Sequence, residues 1–579
     1  MPRPARALAA LCLGLALSGA YADAPPAASP QARYDYAQDI FHPVFAARAM
    51  VASEHALATR VGVDVMRQGG NAVDAAVAVG LALAVVLPNA GNLGGGGFLL
   101  FHDAARRDTV ALDFRETAPA RASRDMYLDE AGQVVPGRSL DTHLAVGVPG
   151  TVAGLAHAHR RWGTLPLATL AAPAIRLAER GFAVSPTLAR MLEVERERLG
   201  RWPSSRAVFF RDGRPLRAGE TLVQRDLARS LRLIARDGEA AFYRGAIADA
   251  IVAEMARHGG LIGAADLRAY RVVERRPVEG EYRGYRVQSM PPPSSGGTHI
   301  VQLLKLVERY PLAQLGANSA QTVHYLAEAM KLAYADRAEY LGDPDFTRVP
   351  VAALTSRAYA DALARRIDPA RPTPSAAIRP GRPQDFESPQ TTHYSIVDAR
   401  GNAVAVTYTL NLNFGSGIVA AGTGILLNNE MDDFSAKPGV PNAFGLIGGE
   451  ANAIAPGKRP LSSMSPTLVL KDGRPWLVTG SPGGARIITT TLQTVINAID
   501  FGMNPAESAA TPRVHHQWLP DELRVEKGLS ADTLALLRQR GHTVVVRPTM
   551  GRTQTIQFGP DGLYGASDPR NPDGAAAGF

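Results

Sequence analysis

Cysteine is all but absent from this 579-residue chain, whose only one, Cys12, lies in an apolar leader. Beyond that leader no thiol can pair, ligate a metal or attack a substrate, which excludes a disulfide scaffold and cysteine catalysis. Aromatic residues make up only 6%, and they do not interleave with basic residues as in single-strand nucleic-acid binders. Charge of one sign is also in short supply: 62 Lys and Arg face 54 Asp and Glu. Discounting Arg3 and Arg6 of the leader leaves an excess of six, a weak footprint for nucleic acid. Long apolar runs are missing too, since Ala7 to Ala20 and Ala75 to Leu87 both fall short of the roughly 17 residues that a membrane span needs. The sequence has no HExxH, no GxxxxGKS/T, no GxSxG, and no GxGxxG between a strand and a helix. Metal hydrolase, nucleotide binder and serine esterase all lose ground.

What is present suits a folded globular protein. The chain is 46% hydrophobic and 20% charged, enough to bury a core; about 150 residues per domain would allow four domains, or one or two large α/β units. Arg3 and Arg6, the apolar run and Ala20-Tyr21-Ala22 read as an export signal over residues 1–22, so a soluble, periplasmic protein starting near Asp23 is expected. Asn71 and Asp74 predict a capped helix that runs, apolar on every side, to Leu87 and is therefore buried. Strands are expected at Phe98 to Phe101 and Thr109 to Phe114, a helix over Leu155 to Arg180, and amphipathic helices to about Arg366, such as Thr322 to Tyr340.

Composition changes from Asp368 to Gln390, where six prolines exclude a helix or a central strand. Beyond this linker the pattern is β-rich. Thr392 to Val397 and Ala403 to Thr409 alternate around a turn at Asp398 to Asn402, and a second hairpin joins Thr467 to Leu470 with Trp476 to Thr479. Ser530 caps a helix ended by Gly541, and Thr543 to Val546 returns as a strand. The fold class is α/β or α+β with a mainly antiparallel core. The neighbouring His515 and His516 lack partners at ligand spacing and read as packing or surface residues.

The end of the linker carries the most specific chemistry. If the loop at Ala399 to Gly401 sets the register, facing residues sum to about 800 and Thr391 stands opposite Thr409. Thr-Thr pairs across strands are commonly structural, and on pattern alone that reading is preferred. A cut before Thr391 would change the weighing: its hydroxyl would then sit beside its own α-amine, whose ordinary pKa of about 8 suits a general base.

Leu93 to Phe98, Asp113-Phe-Arg-Glu116, Val148-Pro-Gly150, Thr391-Thr-His393, Asn428 to Phe434, Pro460 to Pro466 and Gly480 to Gly484 together resemble the γ-glutamyltranspeptidase family of N-terminal-nucleophile hydrolases. The likeness spans nearly the whole chain in order. It implies a four-layer αββα sandwich and a precursor that cleaves itself between Gln390 and Thr391, giving a large subunit of 23–390 and a small one of 391–579 that stay together as a heterodimer. It further implies Thr391 as nucleophile, oriented by Thr409, with the backbone N–H groups of Gly483 and Gly484 as oxyanion hole. Arg115, Ser462 and Ser463 would take the substrate α-carboxylate, and Asn411, Glu430 and Asp433 its α-ammonium.

The segment from Pro438 to Gly449 resembles the family's lid, with Phe444 where some relatives have a hydroxylated ring. Gly94 to Gly97 are expected to serve packing, not phosphate binding. The expected activity is γ-glutamyl transfer and hydrolysis acting on glutathione and related amides, with amino acids or dipeptides as acceptors and no metal or organic cofactor. The nearest alternative is a glutaryl or cephalosporin acylase of the same fold, whose substrate lacks the α-ammonium. A binding protein without turnover is a more distant one.

Overall fold

Two seven-stranded sheets lie face to face in the computed structural model, which describes residues 34–378 and 391–579. The expected signal and the last part of the proline-rich linker, with Gln390, lie outside the described residues. One sheet runs in the order Ala575–Gly578, Met50–Ser53, Thr392–Val397, Ala403–Thr409, Gly96–Asp103, Asp108–Phe114 and Val273–Arg275. The other runs Val44–Ala46, Leu563–Ser567, Gln554–Phe558, Arg474–Thr479, Thr467–Lys471, Tyr285–Ser289 and Val278–Tyr282. Neighbouring strands in both are antiparallel.

Strand periodicity sorts the side chains into layers. Met50, Phe98, Leu100, Val397, Ala403 and Ala405 meet Leu468, Val478 and Ile556 between the sheets. The alternate residues Tyr394, Ile396, Val404, Val406 and Tyr408 pack outward on the helices Ala56–Arg67, Ala72–Val86 and Thr151–Trp162. On the far side Val287, Val469 and Leu477 meet the helices Gly296–Val307, Ala320–Tyr340 and Arg486–Ile499. The result is the expected four-layer αββα sandwich, with both sheets built from strands before and after residue 390.

The helix Ala72–Val86 is capped by Asn71, whose side chain accepts from the Val73 and Asp74 N–H groups, while Asp74 reaches back to the Asn71 N–H. All fifteen of its residues are buried, as an apolar surface on every side requires. Two expectations need correction. The stretch from Leu155 to Arg180 is two helices, Thr151–Trp162 and Leu167–Arg180, because Pro166 lacks an N–H and disfavours helical backbone at Leu165. The helix Ala320–Tyr340 is not amphipathic: its charged Glu328, Lys331, Asp336 and Arg337 are buried as well, since Glu328 and Lys331 neutralise each other at 2.8 Å and Arg337 finds hydroxyl partners.

Candidate active site

The hairpin Thr392–Val397 with Ala403–Thr409 has the anticipated register, with Thr392 facing Tyr408, His393 facing Thr407 and Tyr394 facing Val406. Its odd-numbered side chains point between the sheets, as the placement of Val397, Ala403 and Ala405 requires. Thr391 precedes the strand on this parity and Thr409 ends its partner, so both hydroxyls belong to one end of the inter-sheet space. Both residues are 3% exposed. The glycines of the 94–97 run let the neighbouring strand approach this hairpin: a Cβ at Gly95 would lie 2.0 Å from the Thr409 carbonyl oxygen, and one at Gly97 2.5 Å from that of Thr407. Their role is packing, as expected.

A small cavity of about 20 Å³ is lined by Arg115, Thr391, Thr409, Asn411, Glu430, Asp433, Phe444, Ser462, Ser463 and Gly484 among others. Nearly all the sequence-derived candidates thus meet in one place. A larger groove of about 730 Å³ between the helices Ala56–Arg67 and Leu167–Arg180 has no such constellation, so size does not locate the chemistry here. The cavity's lining includes no histidine. His393, nearest in sequence, is turned toward Thr407 and Ser395 at 2.8 and 3.1 Å, and burial pulls its pKa down to about 3.

Arg115 follows the strand Asp108–Phe114 and is buried. Its Nε donates to the Pro460 carbonyl at 3.2 Å, its Nη1 to Glu430, and its Nη2 to Asp433 Oδ2 at 2.5 Å. Glu116 adds a third carboxylate 3.7 Å from Nη1. Burial opposes the guanidinium charge, but the three carboxylates outweigh it and hold its pKa above the ordinary value. Burial in turn pushes Glu116 up to about 8 and raises Glu430 and Asp433. An arrangement of this kind is costly to break: removing one partner of a buried pair costs about 3–5 kcal/mol.

Among the described residues, two acceptors of the cavity lining find no hydrogen-bond partner, Glu430 Oε2 and Asn411 Oδ1, and the same holds for both carboxylate oxygens of the neighbouring Glu116. Asn411 sits at φ +77°, fixed by its N–H on Thr409 Oγ1 at 2.9 Å and by its amide on the Asn429 carbonyl at 3.0 Å. Oriented buried acceptors without donors suit a cationic group brought by a ligand.

Ser462 and Ser463 line the same cavity. Ser463 Oγ accepts from Arg337 Nη2 at 3.1 Å, and Arg337 Nε donates to Ser295 Oγ at 2.9 Å. Sequence reasoning missed Arg337. The sequence reads its helix as amphipathic, and the sole signal is an arginine that the burial of that helix leaves without water. Burial draws its pKa down to about 10.

Gly483 and Gly484 adopt φ +140° and +54° ahead of the helix Arg486–Ile499, and a Cβ on Gly484 would stand 2.5 Å from the Phe444 ring. Phe444 is buried over this corner. Its segment is fastened by Asn442, which donates to Asp433 Oδ1 at 2.9 Å and accepts from the Phe444 N–H, and by the Ala443 N–H on Asp432 Oδ2 at 3.0 Å. His515 and His516 are buried against Thr489, Gln517 and Asp521, in agreement with a packing role.

The chain matches the family model described as Gamma-glutamyltranspeptidase over residues 58–578. It is 58% identical to the glutathione hydrolase proenzyme of Escherichia coli (strain K12) across 99% of this chain and 98% of that protein. Among solved structures it is similar to a cephalosporin acylase from Bacillus halodurans, with a TM-score of 0.83, 31% identity and coverage of 94% and 98% of the two chains. It is also similar to the γ-glutamyltranspeptidase of Helicobacter pylori, with a TM-score of 0.56, 48% identity and coverage of 58% and 96%.

Proposed function

The chain belongs to the gamma-glutamyltranspeptidase family, and on that premise we propose that it is an exported, self-processed γ-glutamyltransferase and glutathione hydrolase. One observation carries the substrate reading. A buried guanidinium lies beside two unpartnered acceptors, Glu430 Oε2 and Asn411 Oδ1, in the cavity that Thr391 also lines. An α-amino-acid zwitterion matches both charges, its carboxylate on Arg115 with Ser462 and Ser463, its ammonium on Asn411, Glu430 and Asp433.

In the precursor Thr391 Oγ attacks the Gln390 carbonyl carbon. The C–N bond breaks and the nitrogen takes the proton, which frees the Thr391 α-amine, and water then hydrolyses the resulting ester, leaving a Gln390 carboxylate and restoring the Thr391 hydroxyl. Residues 1–22 leave as the export signal, and 23–390 and 391–579 remain joined because strands of both share each sheet. The protein then works in the periplasm, consistent with the fact that no helix among the described residues is long and apolar enough to cross a membrane.

In catalysis the free amine takes the hydroxyl proton as Thr391 attacks the γ-carbonyl of the bound glutamyl group. A cavity lined without histidine and a His393 held neutral and turned away leave this amine as the base. Gly483 and Gly484 N–H groups stabilise the oxyanion, a contribution that typically reaches about 10²–10³ in rate. The leaving amine recovers the proton, and water or an acceptor amine resolves the ester. At about 20 Å³ the cavity is closed to a glutamyl group, so the Phe444 segment must open and substrate must displace the contacts between Arg115 and its carboxylates.

The acylase alternative shares the nucleophile but brings no ammonium, and would leave Asn411 and Glu430 unsatisfied at about 1–3 kcal/mol per group. Comparing γ-glutamyl and glutaryl anilides tests the choice. The glutamyl compound is expected to be cleaved faster by at least about tenfold, and preference for the glutaryl one would reverse the assignment.

A further inference from the structure

We propose a second ligand site, for a divalent transition-metal ion of the zinc, cobalt or nickel class, formed by His143, Glu254 and His258 away from the catalytic cavity. His143 opens the short turn His143–Ala145, while Glu254 and His258 come from the end of the helix Ala246–Arg257, four residues apart and on one face. Both imidazoles aim Nε2 at the same carboxylate oxygen. His143 Nε2 lies 3.0 Å and His258 Nε2 3.5 Å from Glu254 Oε1, and the three ligand atoms all fall within 4.8 Å of one another. The two rings stack at 4.7 Å and 18°, so their nitrogens approach from the same side.

Tetrahedral bonds of about 2.0–2.1 Å put ligand atoms roughly 3.4 Å apart, and His258, whose side chain is 37% exposed, is the ligand with room to adjust toward that spacing. Glu254 Oε2 is engaged separately, by Arg257 at 3.7 Å and by the Ala421 N–H at 3.4 Å, which leaves Oε1 as a monodentate ligand. His143 and Glu254 are buried, so two of the three ligand side chains are held in place by packing. Two nitrogens and one oxygen favour this class over calcium or magnesium, which take oxygen shells. Binding releases any proton held between the imidazoles and Glu254 and involves no redox step. By holding Glu254 against Ala421, the ion would join the segments on either side of residue 390.

Trp202 provides a reporter, since its ring meets His143 edge-on at 4.9 Å and His258 at 5.7 Å. The test is titration of tag-free, processed protein with Co²⁺ alone, followed by tryptophan fluorescence and equilibrium dialysis, with Zn²⁺ as competitor. Saturable quenching by one Co²⁺ per chain, reversed by Zn²⁺, is expected in the parent. His258→Ala should weaken it by at least about tenfold, and Trp202→Phe should remove the quenching while keeping the dialysed ion. Zn²⁺ should also raise the melting temperature of the parent more than that of His258→Ala. Anilide hydrolysis in chelator should be the same with and without His258. Equal titrations of parent and His258→Ala, or no saturable uptake below about 1 mM, would overturn the proposal.

Discussion

The two walls of the catalytic cavity are made differently. The wall of the proposed nucleophile is local: Thr391 directly precedes one strand and Thr409 ends its partner, one tight turn joins the two, and every pair between them follows one register. The charged wall is assembled from distant segments, with Arg115 reaching across to Glu430, Asp433 and the Pro460 carbonyl and Asn411 bonding to Asn429. The first wall is held by backbone pairing and packing. The second is held by charges that neutralise one another until a ligand takes their place. On the proposed mechanism, chemistry therefore sits on the part held by backbone pairing, and selectivity on the part held by exchangeable charges.

Substitutions separate the walls. Thr391→Ala should have the largest effect, leaving a single uncut chain on a denaturing gel and lowering hydrolysis by at least about 10⁴-fold, with the melting temperature little changed. Cleaved, active Thr391→Ala protein would break the contrast at its root. Arg115→Gln should instead lower kcat/KM by roughly 10²- to 10³-fold and the melting temperature as well, because Glu430 and Asp433 lose their counter-charge. Arg115→Lys should recover little of either, since one ammonium cannot serve Pro460, Glu430 and Asp433 together.

Gly484→Ala joins the two walls. At φ +54° and against the Phe444 ring the added methyl should cut kcat by about tenfold or more without blocking self-cleavage; unchanged kcat would show that Phe444 yields freely. The smallest effect concerns pH. Burial pushes Asp432 up to about 7 from an ordinary 3.8, so the folded state favours its protonated form. That stability is fully present below about 4 and is lost as pH rises through about 7. Asp432→Asn, neutral throughout, should show a smaller fall in melting temperature between pH 5.5 and 8.5 than the parent, and parallel curves would refute the role of Asp432.

The local wall was the legible one. Alternation and a glycine-containing turn fix the register that puts Thr391 near Thr409, and Asn71, Ser530 and Gly541 mark helix ends through bonds made within a few residues. The convergence of Arg115 with Glu430 and Asp433 is separated by more than three hundred residues, and no periodicity encodes it; only likeness to a family brought those residues together. Arg337 escaped notice because burial of a charged residue on a helix depends on what covers it. Pro166 was a visible breaker that the long apolar pattern on either side obscured.

The central claim is that Thr391 becomes a chain end before it becomes a catalyst. Intact mass spectrometry of the active protein, with sequencing of the smaller fragment from its amino end, tests this most directly. A fragment that begins Thr391-Thr392-His393 is predicted, and a fully active preparation consisting of one uncut chain, or cut at another residue, would contradict it.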